Sequence, residues 1–211
     1  ILPQPGFLEG LRDLCDQFSI ALIFDEVITG FRLSIGGAQR YFNVTPDLSI
    51  FAKAMGSGYP ISAIVGKKEW MHLIEEGKVI HAGTMNSCNA TVAASLATIE
   101  VLQKENPYER MFQLRRRLMN GLKNAALQSN QNLLVQRAGP MFVTSFTYLP
   151  GLNDYRDTLS CDKAKLGKFI AAMHDRKIRI IGRGLWYISA AHTEQDIDHA
   201  IKTAAEVLRE M

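Results

Sequence analysis

Three groups of residues in this 211-residue chain could do chemistry together: Asp25-Glu26, Lys53 and Gly83-Thr84. Lys53 follows the apolar stretch Leu48-Ser49-Ile50-Phe51-Ala52 and precedes a small-residue turn, Met55-Gly56-Ser57-Gly58-Tyr59-Pro60. A lysine amine that has lost its proton attacks an aldehyde to give a Schiff base, and can then carry a proton between two carbons, first as base and then as acid. A partly buried setting favours that neutral amine. Asp25 ends the apolar run Ile20-Ala21-Leu22-Ile23-Phe24, where a low dielectric strengthens the bond of a carboxylate to a cationic ring nitrogen. Thr84 follows a glycine and precedes a helix expected to start near Ala90, and a hydroxyl beside free backbone amides suits a phosphate dianion. A carboxylate for a ring nitrogen, a lysine for an aldehyde and a hydroxyl turn for a phosphate are together the parts a pyridoxal phosphate site needs.

Each group also has a plainer reading. Most lysines at strand ends are simply exposed, and a threonine before a helix is commonly an ordinary cap. An apolar run followed by Asp-Glu also describes the magnesium-binding strand of P-loop nucleoside triphosphatases. That alternative requires a G-x-x-x-x-G-K-[ST] loop, which this sequence does not contain, and it gives Lys53 and Gly83-Thr84 nothing to do. Glu26 reads as structural support behind Asp25. Arg183, between Gly182 and Gly184, could meet a substrate carboxylate through its planar fork, or lie on the surface. Arg32, His81 and His192 read as packing or hydrogen-bonding residues.

The elements that must position these side chains alternate helix and strand. Phe7, Leu11, Leu14 and Phe18 recur at helical spacing after Pro5-Gly6. Ile20 to Phe24 is short and continuously apolar, as expected of a strand covered on both faces. A helix leading into such a strand predicts a mainly parallel α/β sheet, whose ligands collect at the carboxyl ends of its strands. Leu48 to Ala52 and Ile61 to Val65 predict two more strands. In a helix over 91–104, Val92, Leu96, Ile99 and Leu102 would form one apolar stripe, and a second helix follows from about Tyr108 to Ala126. After the polar linker Ser129-Asn130-Gln131-Asn132 the pattern changes to a smaller α+β unit. Its expected strands are Leu133–Val135, Met141–Thr147, Ile178–Ile181 and Trp186–Ser189, with a helix over 163–175. Thr193 and Asp196 then box the start of a last helix, with Ile197, Ile201, Ala204 and Leu208 facing the core.

The totals bound the rest. Hydrophobic residues make up 47% and charged residues 21%, the balance of an ordinary globular protein long enough for one or two domains. A net charge of +3 is too small and dispersed to point to nucleic acid, and the run Arg115-Arg116-Arg117 reads as a solvated helix face. Three widely spaced cysteines form no metal-ligand pattern and read as free thiols of a reducing compartment, so no metal is expected. No apolar run approaches the roughly 20 residues that span a bilayer.

From Leu22 to Ala90 the sequence resembles a class III, fold type I pyridoxal phosphate aminotransferase, with the subgroup that includes glutamate-1-semialdehyde aminomutase the nearest. The matching segments are Asp25-Glu26-Val27-Ile28-Thr29-Gly30-Phe31-Arg32, Gly36-Gly37-Ala38-Gln39, Val44-Thr45-Pro46-Asp47-Leu48, Lys53-Ala54-Met55-Gly56-Ser57-Gly58-Tyr59-Pro60 and His81-Ala82-Gly83-Thr84. Ala190-Ala191-His192-Thr193-Glu194-Gln195-Asp196-Ile197-Asp198 extends the likeness over nearly the whole chain.

The resemblance implies an α/β fold: the C-terminal part of the large cofactor-binding domain over 1–128 and a small C-terminal α+β domain over 129–211. It implies pyridoxal 5'-phosphate as cofactor, Lys53 as the Schiff-base and proton-transfer residue, and Asp25 as partner of the pyridinium nitrogen. Val27 would pack on one ring face. Thr84 would reach the cofactor phosphate of a neighbouring subunit, which makes a cytoplasmic homodimer with a shared site. The substrates would be a small-molecule amino donor and a carbonyl acceptor. Asn86, Ser87 and Asn89 depart from the commoner family wording, which leaves transaminase and aminomutase chemistry both open. In the family, a phosphate-gripping turn and a ring-stacking aromatic residue precede the point that matches Ile1. The chain therefore also reads as a fragment, with a non-catalytic fragment as the alternative to an active enzyme.

Overall fold

A computed structural model describes residues 1–211. The chain forms two compact units, Gln4–Asn106 and Pro107–Met211, the latter joined by Ile1–Pro3.

In the N-terminal unit, α1 (Phe7–Gln17) starts behind Gly6, whose φ of 80° only glycine adopts without strain. It is followed by β1 (Ile23–Asp25), α2 (Gly37–Phe42), β2 (Leu48–Phe51), β3 (Ala63–Gly66), α3 (Lys68–Glu75) and α4 (Asn89–Glu105). The sheet order is β1-β2-β3. The expected parallel pairing joins β1 to β2, Ile23 opposite Leu48 and Asp25 opposite Ile50. β3 runs antiparallel to β2, because the 52–62 connection is too short for the crossover that a parallel neighbour requires.

One expectation about burial changes here. β1 is an edge strand, and Ile20 and Ile23 are exposed rather than covered on both faces. The buried residues of α4 are Thr91 and Ser95, while Val92 and Leu96 of the apolar stripe face outward. Small side chains let this helix approach the turn that begins at Lys53, against which it packs.

The C-terminal unit comprises α5 (Tyr108–Gln128), β4 (Leu133–Ala138), β5 (Met141–Phe146), α6 (Lys163–Asp175), β6 (Leu185–Tyr187) and α7 (Glu194–Glu210). Its antiparallel sheet has the order β4-β5-β6. α5 packs on α7 and β4, which places it in this unit instead of with residues 1–128. The polar 129–132 segment is thus a tight link inside one unit, and the division falls at Asn106-Pro107, where a left-handed asparagine ends α4. Phe142, Phe169, Leu122, Met173 and Leu208 form the core. The expected strand 178–181 shrinks to one bridge, Ile181 to Leu185, because the Gly182-Arg183-Gly184 turn closes at once. Thr193 and Asp196 make the expected capping box of α7. No helix is long and apolar enough to cross a membrane.

Candidate active site

Asp25 is the last residue of β1, and Lys53 lies just past the end of β2. The two strands are parallel neighbours, about 4.8 Å apart by sheet geometry, so both residues emerge at the same carboxyl edge. Lys53 opens a 3₁₀ turn, Lys53–Gly56, with a φ of 47°. Left-handed backbone costs a residue other than glycine about 1–2 kcal/mol, and such conformations gather where the surroundings over-determine a functional position. Ser57 (φ 45°) and Gly58 (φ 102°) continue the left-handed path, which gives the small-residue turn its purpose. The Lys53 side chain is exposed, so the partial burial expected of it is not provided by this chain, and it pairs with no carboxylate.

Asp25 is held by its own turn. Its Oδ1 accepts the Val27 amide at 3.0 Å, and its second oxygen carries no bond within the chain. Val27 is half-buried beside it. Thr84 stands in an exposed turn that leads into α4, closed by the Asn86 amide donating to the Gly83 carbonyl at 3.0 Å. It bonds to none of the other three residues. The fold therefore brings Asp25, Val27 and Lys53 to one edge, and Thr84 precedes the helix that packs on the Lys53 turn. Arg183 is exposed at the tip of a turn in the C-terminal unit. His192 has the structural role expected of it, its Nδ1 lying 2.9 Å from Ser189 Oγ and accepting the Ser189 amide. His81 is exposed.

Behind this edge lies a polar core whose extent the sequence did not reveal. Glu26, 1% exposed, accepts from the Ala38 amide (2.5 Å) and Thr29 Oγ1 (2.9 Å) on Oε2. Its Oε1 accepts from the Gln39 amide (3.0 Å) and Gln39 Nε2 (3.3 Å). The Gly36-Gly37 doublet was the available signal: Gly37 has φ 70°, and a Cβ there would stand 2.4 Å from Glu26 Oε2. Asp47, directly before β2, forms a second anchor. It accepts from Lys67 Nζ (2.6 Å), the Leu22 amide (2.7 Å) and Arg12 Nη1 (2.9 Å). Burial alone would raise its carboxyl, but these donors outweigh it and lower the pKa to about 2.

Asp25 with one uncommitted oxygen and Lys53 without a carboxylate partner thus stand at the carboxyl edge of one parallel strand pair. The model of the class-III aminotransferases matches residues 1–204. The chain belongs to the class-III aminotransferase family. That membership leaves no ground for the nucleoside triphosphatase alternative. Over its whole length the chain is 36% identical to a glutamate-1-semialdehyde 2,1-aminomutase of Desulfatibacillum aliphaticivorans, covering 50% of that protein. The chain thus spans about half the length of the curated relatives it matches. Among solved structures, an omega-transaminase from Sphaerobacter thermophilus superposes on 98% of the chain with a TM-score of 0.87 at 25% identity, over 48% of its own length. A glutamate-1-semialdehyde aminomutase of Pseudomonas aeruginosa PAO1, in complex with PMP, shares the fold at a TM-score of 0.87 and 20% identity, the whole chain covering 49% of it.

Proposed function

We propose that this chain supplies the lysine and the ring-facing carboxylate of a pyridoxal 5'-phosphate enzyme that transfers amino groups, as an aminotransferase or a glutamate-1-semialdehyde 2,1-aminomutase. The observation that carries the reading is the placement of Asp25 and Lys53 on adjacent parallel strand ends, each with its functional atoms uncommitted. When bound, the cofactor supplies an electron sink for the carbon that bears the amino group. Lys53 Nζ would hold the cofactor and move the proton at that carbon. The free oxygen of Asp25 would accept from the ring N–H and keep it protonated, while its other oxygen stays fixed by the Val27 amide. Val27 would pad one face of the ring. Thr84, which meets none of these residues in its own chain, suits a role at the phosphate of a second subunit, in a homodimer with shared sites. A small amino donor and a carbonyl acceptor would be the substrates, or a single semialdehyde in the aminomutase case.

A second reading has its own observation. Asp25, Lys53 and Thr84 lie open to solvent, and apolar side chains of the N-terminal unit are uncovered, so the chain by itself would bind cofactor poorly and transfer little. One experiment addresses both readings. The chain is incubated with pyridoxal phosphate, alone and complemented with the half of the Desulfatibacillum relative that it does not match. Borohydride reduction and peptide mapping follow. The expected result is cofactor mass on the Lys53 peptide, strongly in the complemented sample and weakly in the chain alone. Modification of another lysine, with Lys53 free in both samples, would overturn the assignment.

A further inference from the structure

We infer that buried Glu26 and half-buried Gln39 form a clamp that sets the spacing between Asp25 and Lys53, making both positioning residues for the proposed reaction. The inference deepens that reading and rests on it for its functional meaning. Glu26 follows Asp25 directly, and its amide donates to the Ile50 carbonyl of β2 at 2.9 Å. Its side chain turns inward, and both oxygens are filled by N–H and O–H donors of the 29–39 segment. Gln39 passes the connection on. Its Nε2 donates at once to Glu26 Oε1 (3.3 Å) and to Ser49 Oγ (3.2 Å), and Ser49 is a buried residue of β2 that pairs with Phe24.

The same segment grips β2 a second time, closer to Lys53. Gly30 lies so near Phe51 that a Cβ would stand 2.3 Å from its ring, and Phe31 meets that ring with centroids 5.5 Å apart. The residues that follow Asp25 are therefore tied to β2 at Ser49 and at Phe51, two residues before Lys53. A buried carboxylate stripped of its donors is costly, and Glu26 is 1% exposed, so a shift of either strand end would break this set. Ladder bonds alone would fix the strands. The clamp fixes the turns beyond them, which carry the chemistry.

Gln39→Met tests this, since it keeps volume and the main-chain bonds of Glu26 but removes both side-chain links. The first readout needs no cofactor: amide hydrogen exchange at Val27, which reports the Asp25 turn, and at Met55, whose amide donates to the Ala52 carbonyl in the Lys53 turn. Protection at both should fall by roughly tenfold, the loss of about one hydrogen bond's worth of opening free energy, while the β2–β3 pairs keep theirs. Ser49→Ala should give the same pattern more weakly, and Ser49→Thr, which keeps a hydroxyl, should restore it. Loss confined to Ala38 and Gln39, or a uniform loss across the unit, would overturn the inference. The second readout is cofactor attachment at Lys53 in the complemented protein, expected to slow roughly tenfold in Gln39→Met, as a small misplacement of reacting groups does, with the pH midpoint of the bound cofactor's absorbance displaced. An unchanged rate and midpoint would also overturn it. If the unsubstituted protein attaches no cofactor while exchange at Val27 and Met55 still responds together, the proposed function fails and the clamp between the two turns stands.

Discussion

The two units solve the same packing problem differently. In the C-terminal unit, α5 and α7 present one apolar face each and bury it: Met111, Leu114, Leu118 and Leu122 on one, Ile197, Ala204, Val207 and Leu208 on the other. In the N-terminal unit, α1 and α3 bury no residue at all, and α4 buries only Thr91 and Ser95. Phe7, Leu14, Phe18, Ile80 and Leu96 stand in solvent. The candidate chemistry sits entirely in this second unit. What holds Asp25 and Lys53 is hence a polar scaffold, Glu26, Gln39, Asp47 and their partners, more than an apolar core.

The largest effect on stability should come from the apolar side of that contrast. Phe169 is fully buried and meets Phe146 edge-on at 5.8 Å. Phe169→Ala should destabilise the C-terminal unit by about 3–5 kcal/mol, read from urea unfolding followed by Trp186 fluorescence. A loss below 1 kcal/mol would show that this core is not the tight one described. Asp25→Asn should do the reverse, leaving the unfolding midpoint in place because an amide oxygen can still accept the Val27 N–H. Amino transfer by the complemented protein should fall by on the order of a hundredfold or more, as when one preorganised electrostatic partner is removed. Near-normal turnover with cofactor bound would remove Asp25 from the site.

Those expectations show what the sequence makes legible. A strand end followed by acids, and a lysine between an apolar run and a glycine turn, are local patterns, and the structure places both groups at one sheet edge. Helix α6 and the capping box of α7 were readable for the same reason, since their caps and periodicity lie within a few residues. The short helix α2 had no such pattern. Six residues cannot show a period, and α2 owes its start to contacts with Glu26, thirteen residues back from Gln39. The stripe on α4 was readable as a pattern, yet Val92 and Leu96 in it face outward. Periodicity says that a face is apolar, not what covers it. The strand expected over 178–181 failed because two glycines let the chain turn before a ladder could form.

Asp47 offers an intermediate effect and a pH signature. Its carboxyl is held at about 2, below the roughly 3.9 of an unfolded chain, so the stability it contributes is present above about pH 4 and lost as pH falls towards 2. The contribution should be roughly 1–2 kcal/mol, discounted because Lys67 is half exposed. Asp47→Asn should weaken the N-terminal unit by roughly 1–2 kcal/mol at neutral pH, since Arg12 keeps only Asp16 and Lys67 loses its carboxylate. The difference between the two proteins should shrink between pH 4 and pH 2. A constant difference would mean that Asp47 acts through shape and not charge, and the polar scaffold would lose its electrostatic part.

The smallest effect tests the uncovered face itself. Leu96, 64% exposed on α4, should tolerate replacement by glutamate within about 0.5 kcal/mol, as surface positions do. Phe169 and Leu96 are both apolar residues on helices, so the gap between their substitutions measures the contrast between the units directly. The same variant should also reduce self-association of the chain in sedimentation experiments, because a charge on an apolar face opposes its burial against another copy. A loss above 2 kcal/mol from Leu96→Glu would mean that something within the chain covers α4, and the two units would then be alike. Unchanged association with unchanged stability would place the sticky surface elsewhere, with α1 and its Phe7, Leu14 and Phe18 as the next face to charge.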